Sequence, residues 1–485
     1  MKRFFVLLFL IIICHLGFAQ TKVFNMANTL EDMYSWNKYP TYSTYIDFMH
    51  YYADTYPNLC VLDTIGSTNE GRLLLALKIC NNATQEQSKP KFFYTSSMHG
   101  DELTGAIIMM RLIDTLLSHS ENFVSLLNSI QLYINPFANP DGTWYSDNNS
   151  VLSAKRYNAN MVDINRNFPD VRFGGNTDGE VIQAETQAFM HYALINRFNM
   201  SCNLHGGSEV FNYPYDCFPS SAKRHTDSNW FKALGEDFIS DLGGRTKGYF
   251  TDISNSGIID GGDWYTVYGG RQDWHTYYAH CREVTLEVSL DKMPSSNDLP
   301  IFWSYLKKSL FVFLNYSKKG FEGLVVDSNT TEPLQDVMVE IDNHDIDSSQ
   351  VFTNKIGYYF RPILSGIYSV TFSKNGYYSK TIEITSGDNL TDYNVQLIPT
   401  GTFIHDTRDM ALQIYPLPFK ESLTIFADEY LTYQIIDLQG IKVKEGKLLQ
   451  GTNILNTQNL SPNTYIIKMY NLQGKAISKK LIKQK

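Results

Sequence analysis

Cysteine is scarce in this chain: its 485 residues contain 6, and Cys14 lies inside the first apolar run. The others, Cys60, Cys80, Cys202, Cys217 and Cys281, are too few for a disulfide scaffold, and their odd number leaves at least one thiol unpaired. Buried thiols are the plain expectation, although Cys60 and Cys80 could face each other across a hairpin centred near Glu70-Gly71. Beyond the N-terminal run, no apolar stretch reaches the roughly 18 residues of a membrane helix, so no transmembrane segment is expected. Positive charge is in deficit, with 41 Lys and Arg against 50 Asp and Glu and a net charge of −9. That excludes the global basic footprint of a nucleic-acid binder. Solenoid-type repeats are missing too. Hydrophobic residues at 43% and charged residues at 19% rule out a disordered chain and a coiled coil. Aromatics are plentiful, with 32 Tyr, 29 Phe and 6 Trp, which suits a rigid, strand-rich extracellular protein.

The N-terminus points to export. Lys2 and Arg3 precede the apolar run Phe4 to Cys14, and Gly17-Phe18-Ala19 supplies small residues for cleavage. Residues 1–19 are therefore expected to be a secretory signal peptide, leaving a chain that starts at Gln20. The bulky Ile13 before Cys14 argues against a lipoprotein signal.

Length alone predicts two to four domains. Residues 20–317 alternate helical and strand patterns. Tyr45, Phe48, Met49 and Tyr52 recur at helical spacing; Lys91–Ser97, Ser129–Pro136, Met200–Leu204 and Glu283–Ser289 read as buried strands; residues 183–196 and 299–316 read as helices. This predicts an α/β domain with a mixed central sheet flanked by helices. Near Lys318 the texture changes to short alternating runs with turn residues such as Gly357, Gly366 and Asn375-Gly376, predicting a small β-sandwich over 318–399. Residues 400–410 read as a linker, and 411–485 as a second all-β module with a lysine-rich end.

His99-x-x-Glu102 sits where a strand gives way to a helix, and His205 ends the strand Met200–Leu204. Two imidazoles and a carboxylate suit zinc, and three protein ligands leave a position open for chemistry. Strand ends of α/β sheets are also where ligands bind. Period-2 alternation over Glu283–Ser289 puts Glu283, Thr285, Glu287 and Ser289 on one face.

Six motifs then occur in order: His99-Gly-Asp-Glu102, Asn139-Pro-Asp-Gly142, Asp163-Ile-Asn-Arg-Asn-Phe-Pro-Asp170, Leu204-His-Gly-Gly207 with Asn212-Tyr-Pro-Tyr-Asp216, Gly269-Gly-Arg-Gln-Asp-Trp274 and Cys281-Arg-Glu-Val-Thr-Leu-Glu287. Over about residues 40–317 this resembles the zinc metallocarboxypeptidases, specifically the regulatory branch containing carboxypeptidases N, E, M and D. The β-sandwich from Gly320 resembles the transthyretin-like domain that follows the catalytic domain in that branch.

The resemblance implies one Zn2+ per catalytic domain, held by His99, Glu102 and His205, and a peptide or protein C-terminus as substrate. It makes Glu287 the general base, Arg166 with Asn165 the clamp on the terminal carboxylate, Arg156 the oxyanion-stabilising arginine and Tyr265 the tyrosine that closes over substrate. Lys155 stands where the family usually has Gly before that arginine. Asp216 and Gln272 match the positions lining the pocket for a C-terminal Lys or Arg; an internal partner for Asp216, such as Arg271 or Arg224, would leave a pocket of different taste.

Ile414-Tyr-Pro-Leu-Pro418, Ile436-Asp-Leu-Gln-Gly440, Leu460-Ser-Pro and Tyr465-Ile-Ile467 resemble the type A sorting domain of type IX secretion, with Leu417 in place of the usual Asn. The implied partner is the type IX secretion machinery, and the implied location is outside the cell or on the outer-membrane surface. The expected protein is a monomeric, secreted zinc carboxypeptidase. Two other readings stand beside it: a carboxypeptidase trimming cell-wall peptides, and a catalytically silent surface binding protein.

Overall fold

A computed structural model describes residues 22–400, 412–471 and 476–484. The expected signal peptide and the expected linker from residue 401 onward lie outside the described residues.

Eight strands form one mixed sheet. They are β1 (Cys60–Ser67), β2 (Leu73–Ile79), β3 (Lys91–Ser96), β4 (Gln131–Asn135), β5 (Met200–His205), β6 (Ser208–Tyr213), β7 (Ile258–Asp260) and β8 (Arg282–Ser289), in the spatial order β1-β2-β4-β3-β5-β8-β6-β7. β3, β4, β5 and β8 are buried at every position, since helices cover both faces. Around the centre, β4, β3, β5 and β8 run parallel, whereas the β1–β2 hairpin and β6 pair antiparallel. Gly71 makes the hairpin turn at φ +82°, a left-handed conformation that favours glycine.

Six longer helices pack around this sheet: α1 (Tyr42–Thr55), α2 (Thr104–Ser118), α3 (Ala184–Asn196), α4 (Ser228–Ser240), α5 (Arg271–Tyr277) and α6 (Leu299–Tyr316). Thr41 caps α1 by accepting from the Thr44 amide at 3.2 Å. On one face, Phe92, Leu204, Leu286 and Val288 join Leu112, Phe238 and Leu310 in a single core; on the other, Phe93 and Tyr133 pack with Phe189, Met190 and Trp274. Val284, Leu286 and Val288 thus go to one face, while Glu283 on the other binds Arg271 of α5, as the alternation requires. The helix α4 and the strand β6 were not among the expected elements; β6 runs into the Asn212–Asp216 motif. No helix among the described residues is long and apolar enough to cross a membrane.

Residues 320–399 fold as two four-stranded sheets around their own core of Phe321, Val325, Val339, Val370 and Phe372. Residues 412–484 hold a three-stranded and a four-stranded sheet around Leu423, Ile425, Ile435, Ile467 and Leu481. All five cysteines outside the N-terminal run are buried free thiols, so Cys60 and Cys80 form no bridge.

The 320–399 unit is joined to the first by a buried ion cluster. Asp227 accepts from Arg282 Nε and Nη2 at 3.0 and 2.7 Å and from Arg361 Nη1 and Nη2 at 2.9 and 3.0 Å, while Arg361 also reaches Asp345. Burial works against a charged Asp227, but the two guanidiniums outweigh it and hold the carboxyl well below the usual range. Asp227→Asn leaves two buried guanidiniums short of a counter-charge and is expected to cost about 3–5 kcal/mol, read as a lower melting temperature. A depressed folded pKa gives stability that is present above the unfolded Asp value of about 3.9 and is lost as pH falls. The parent should therefore lose stability between pH 5 and acid more steeply than Asp227→Asn; equal acid slopes would contradict the assignment.

Candidate active site

The loop from β3 to α2 carries His99 and Glu102. Gly100 lies so close to the Asn139–Gly142 turn that a Cβ there would sit 2.3 Å from the Gly142 carbonyl carbon, which explains the glycine in this motif. His205 is the last residue of β5, next to β3 in the sheet. These strand ends bring His99 Nδ1 to 3.1 Å from His205 Nδ1. Glu102 bridges them, with Oε1 2.9 Å from His99 Nδ1 and Oε2 2.9 Å from His205 Nδ1.

All three groups are buried, and their ligating atoms lie within 4.8 Å of one another. Burial disfavours charge on Glu102, yet the two imidazoles hold its carboxyl well below the usual range. For His205, burial prevails and lowers the ring to about 4. At His99 burial disfavours charge, but the Glu102 and Asp163 carboxylates outweigh it and raise the ring. Two imidazoles that release their protons to a metal, beside a carboxylate, are the donor set that zinc takes, so the residues fit the ion that the sequence implies. Asp227, His344 and Asp345 also come together, but Arg282 and Arg361 already occupy those carboxylates and balance their charge.

Around the trio, Asp163 Oδ1 meets His99 Nε2 at 3.2 Å, and Asp163 Oδ2 accepts from Arg156 Nε at 2.9 Å. Arg156 is thereby held with Nη1 3.5 Å from Glu102 Oε1, at the edge of the cluster. Glu287 stands in register with His205 across the parallel β5–β8 pair and with Val210 on its other side. Its Oε2 is buried and has no hydrogen-bond partner. Burial first, then the charge of Glu102, raises its carboxyl well above the usual range. The bland reading of Glu287 as a sheet-face charge paired to an arginine finds no such pair among the described residues.

The 163–170 and 269–274 segments interlock. Phe168 donates its amide to Gly269 O at 3.0 Å, and Asn165 Oδ1 accepts the Arg271 amide at 2.9 Å. Arg166 follows Asn165 directly, and Tyr265, half exposed, lies close enough to Arg166 for the guanidinium to pull against the rise that burial gives its phenol. Asp216 Oδ1 accepts from Asn212 Nδ2 and Gln272 Nε2, each at 3.0 Å. Arg271 is turned away and binds Glu283 at 3.1 Å, so it is no partner of Asp216. A Cβ on Gly261 would fall 1.9 Å from Asp216 Oδ1, so only glycine fits against this carboxylate. Burial and the neighbouring Asp273 push the Asp216 carboxyl well above its usual range.

Every residue singled out from the sequence is thus placed in two adjoining groups: His99, Glu102, His205, Glu287 and Arg156 in one, Asn165, Arg166, Tyr265, Asp216 and Gln272 in the other. The sequence reading gave no role to Asp163, Asn203, Asp273 or Lys292. Asp273 accepts the amides of Asp216 and Cys217 at 2.9 and 2.8 Å, and Lys292 Nζ lies 2.9 Å from Glu102 Oε1. Asp163 and Asp273 lay inside quoted motifs; Asn203, two residues before His205 on one strand, carried a period-2 signal.

Comparison with known proteins identifies the family. The zinc carboxypeptidase family profile matches residues 45–309, and a secretion system C-terminal sorting domain matches residues 413–484. The chain is 32% identical to carboxypeptidase D of Mus musculus over 354 residues, which is 70% of this chain but 25% of that protein. With the carboxypeptidase N catalytic chain of Rattus norvegicus it shares 31% identity over 72% of this chain and 83% of the relative. Carboxypeptidase M of Mus musculus is 32% identical over 70% of this chain and 78% of its own length. Among solved structures, thrombin activatable fibrinolysis inhibitor superposes with a TM-score of 0.51 at 17% identity, covering 58% of this chain and 75% of that one, a likeness of fold. With a family match over more than half its length and these relatives beside it, the chain belongs to the zinc carboxypeptidase family.

Proposed function

We propose that this protein hydrolyses the last peptide bond of peptide or protein C-termini and prefers a terminal Lys or Arg. The observation that carries the proposal is the meeting of His99 Nδ1, His205 Nδ1 and the Glu102 carboxylate within 4.8 Å, with Glu287, whose buried Oε2 has no hydrogen-bond partner, in register beside His205. His99, Glu102 and His205 would hold zinc, which supplies Lewis acidity toward the scissile carbonyl and the attacking water.

The chain's own residues supply the rest. Arg166, with Asn165 next to it, binds the terminal carboxylate through a planar fork that lysine cannot copy. Only the last residue of a peptide presents that group, so the clamp makes the enzyme an exopeptidase. Glu287 takes a proton from the attacking water and passes it to the leaving amine. Arg156, fixed by Asp163, faces the charge that develops on the carbonyl oxygen. Tyr265, half exposed beside Arg166, covers the bound end. Asp216 meets the terminal ammonium or guanidinium, and Gln272 holds Asp216 in place.

We further infer that residues 20–317 form the catalytic domain, 318–399 a transthyretin-like companion, 400–410 a linker and 411–485 an address read by the type IX secretion machinery. Residues 1–19 would take the chain out of the cytoplasm first, and the enzyme would work outside the cell or on the outer-membrane surface. The sorting-domain match and the separate β cores around Phe321 and around Leu423 support this arrangement.

A panel of peptides differing only in the C-terminal residue tests the activity. Purified protein should release Lys and Arg faster than aliphatic residues, lose turnover in a chelator and regain it with zinc. Release that is indifferent to chelator would defeat the mechanism; faster trimming of cell-wall peptides than of Lys-ended peptides would favour a wall enzyme.

A further inference from the structure

We propose that Asn203, backed by Thr95 and Arg271, is the positioning residue for His205, and that its side-chain amide selects which ring nitrogen is offered to the metal. The inference rests on the zinc-site reading above and adds a role for residues outside it.

Asn203 and His205 lie two apart on β5 and so point to the same face of the sheet. Asn203 Nδ2 is 2.7 Å from His205 Nε2, the ring atom facing away from Glu102. The other end of the amide is held as well: Thr95 Oγ1 donates to Asn203 Oδ1 at 2.9 Å. Thr95 is the register partner of Asn203 across the β3–β5 pair, which is why the two side chains meet. Behind Thr95, Arg271 Nη1 donates to Oγ1, and Arg271 Nη2 donates to Glu283 Oε2 at 3.1 Å. This polar row runs through the sheet centre where Thr95, Arg271 and Glu283 are 0% exposed and Asn203 1%, so solvent cannot replace a missing partner.

Its use follows from imidazole chemistry. A neutral ring carries one proton, and the nitrogen opposite that proton has the lone pair. With the Asn203 NH2 group facing Nε2, Nε2 accepts and the proton lies on Nδ1, directed at Glu102 Oε2 2.9 Å away. To ligate through Nδ1, the ring must carry its proton on Nε2 and find an acceptor there. A half-turn of the Asn203 amide supplies one, because Oδ1 then takes the Nε2–H bond. One proton is lost at Nδ1 and one is gained at Nε2, so the ring stays neutral. Thr95 serves both orientations, since a hydroxyl that donates to Oδ1 can equally accept from Nδ2. Arg271, fixed by Glu283, keeps that hydroxyl in reach.

The test is zinc affinity of the full chain, measured by competition with a chromogenic chelator, with the melting temperature of the metal-free protein recorded alongside. Asn203→Leu keeps the size but loses the hydrogen bonds to His205 and Thr95, and its zinc Kd should rise about 10–100-fold. Asn203→Asp offers an acceptor in either orientation and should keep the parent affinity. Thr95→Val should weaken zinc binding in the same direction, and Thr95→Ser should restore it. Parent-like zinc affinity in a folded Asn203→Leu protein would overturn the proposal. If Asn203→Leu does not fold, equal affinity in Thr95→Val and Thr95→Ser overturns it instead. Failure of the parent chain to bind zinc would sink the active-site reading and this inference with it, whereas a zinc-binding parent with indifferent variants sinks the inference alone.

Discussion

Glu287→Gln is expected to cut kcat on a Lys-ended peptide by about 10²–10⁴-fold while zinc content stays at that of the parent. Gln keeps the shape and the neighbours of Glu but cannot take up the proton of the attacking water. The structure makes this a clean replacement, since the side chain projects from the rigid strand β8, in register with His205, and Oε2 has no partner to lose. Measuring kcat and bound zinc on the same sample separates lost chemistry from a lost ion. Turnover close to the parent's, with zinc bound, would remove Glu287 from the reaction.

The second large effect concerns selectivity. Asp216→Ala should lower kcat/KM for Lys- and Arg-ended peptides by about tenfold or more and change that for aliphatic ends little or favourably. A carboxylate about 4 Å from an ammonium gains about 4 kcal/mol at an effective dielectric near 20, and a third of that after desolvation is about tenfold. An aliphatic end gives this buried carboxyl no cation, so its removal costs such substrates nothing.

The raised pKa of Asp216 adds a pH signature. In the empty pocket, burial and Asp273 favour the protonated acid, whereas a cationic side chain needs the carboxylate. KM for Lys-ended peptides should therefore fall as pH rises through the Asp216 titration, and KM for aliphatic ends should not follow. Equal losses on both substrate classes, or parallel pH profiles, would place Asp216 outside the pocket. Asn212 and Gln272 hold Asp216 through neutral donors rather than a guanidinium, so no internal ion pair among the described residues competes with a cationic ligand.

Local order was legible where the chain repeats a period. The helix expected over residues 299–316 is observed as Leu299–Tyr316, and Glu283–Ser289 falls within the strand Arg282–Ser289, because each repeats its apolar residues at the period of its element. The metal cluster was legible for a different reason. Its residues come in short motifs at strand ends, where α/β sheets gather ligands. Asp163, Asn203, Asp273 and Lys292 stayed silent because each acts on a neighbour that is remote in sequence or reached from its own strand face. A polar residue in a buried strand reads the same whether it binds a ligand or only satisfies a hydrogen bond.

By itself, the sequence determined the chemistry available: which residues can ligate, clamp, accept a proton or attract a cation, and which face of each strand they occupy. Only tertiary structure decided the pairing. Arg271 went to Glu283 and Thr95 rather than to Asp216, and Asp227 joined Arg282 to Arg361 across two units of the chain. The physical reason is that a side chain's partner is set by which strands and helices become neighbours, and that choice is made by burial of the whole apolar surface rather than by the charge of any one residue.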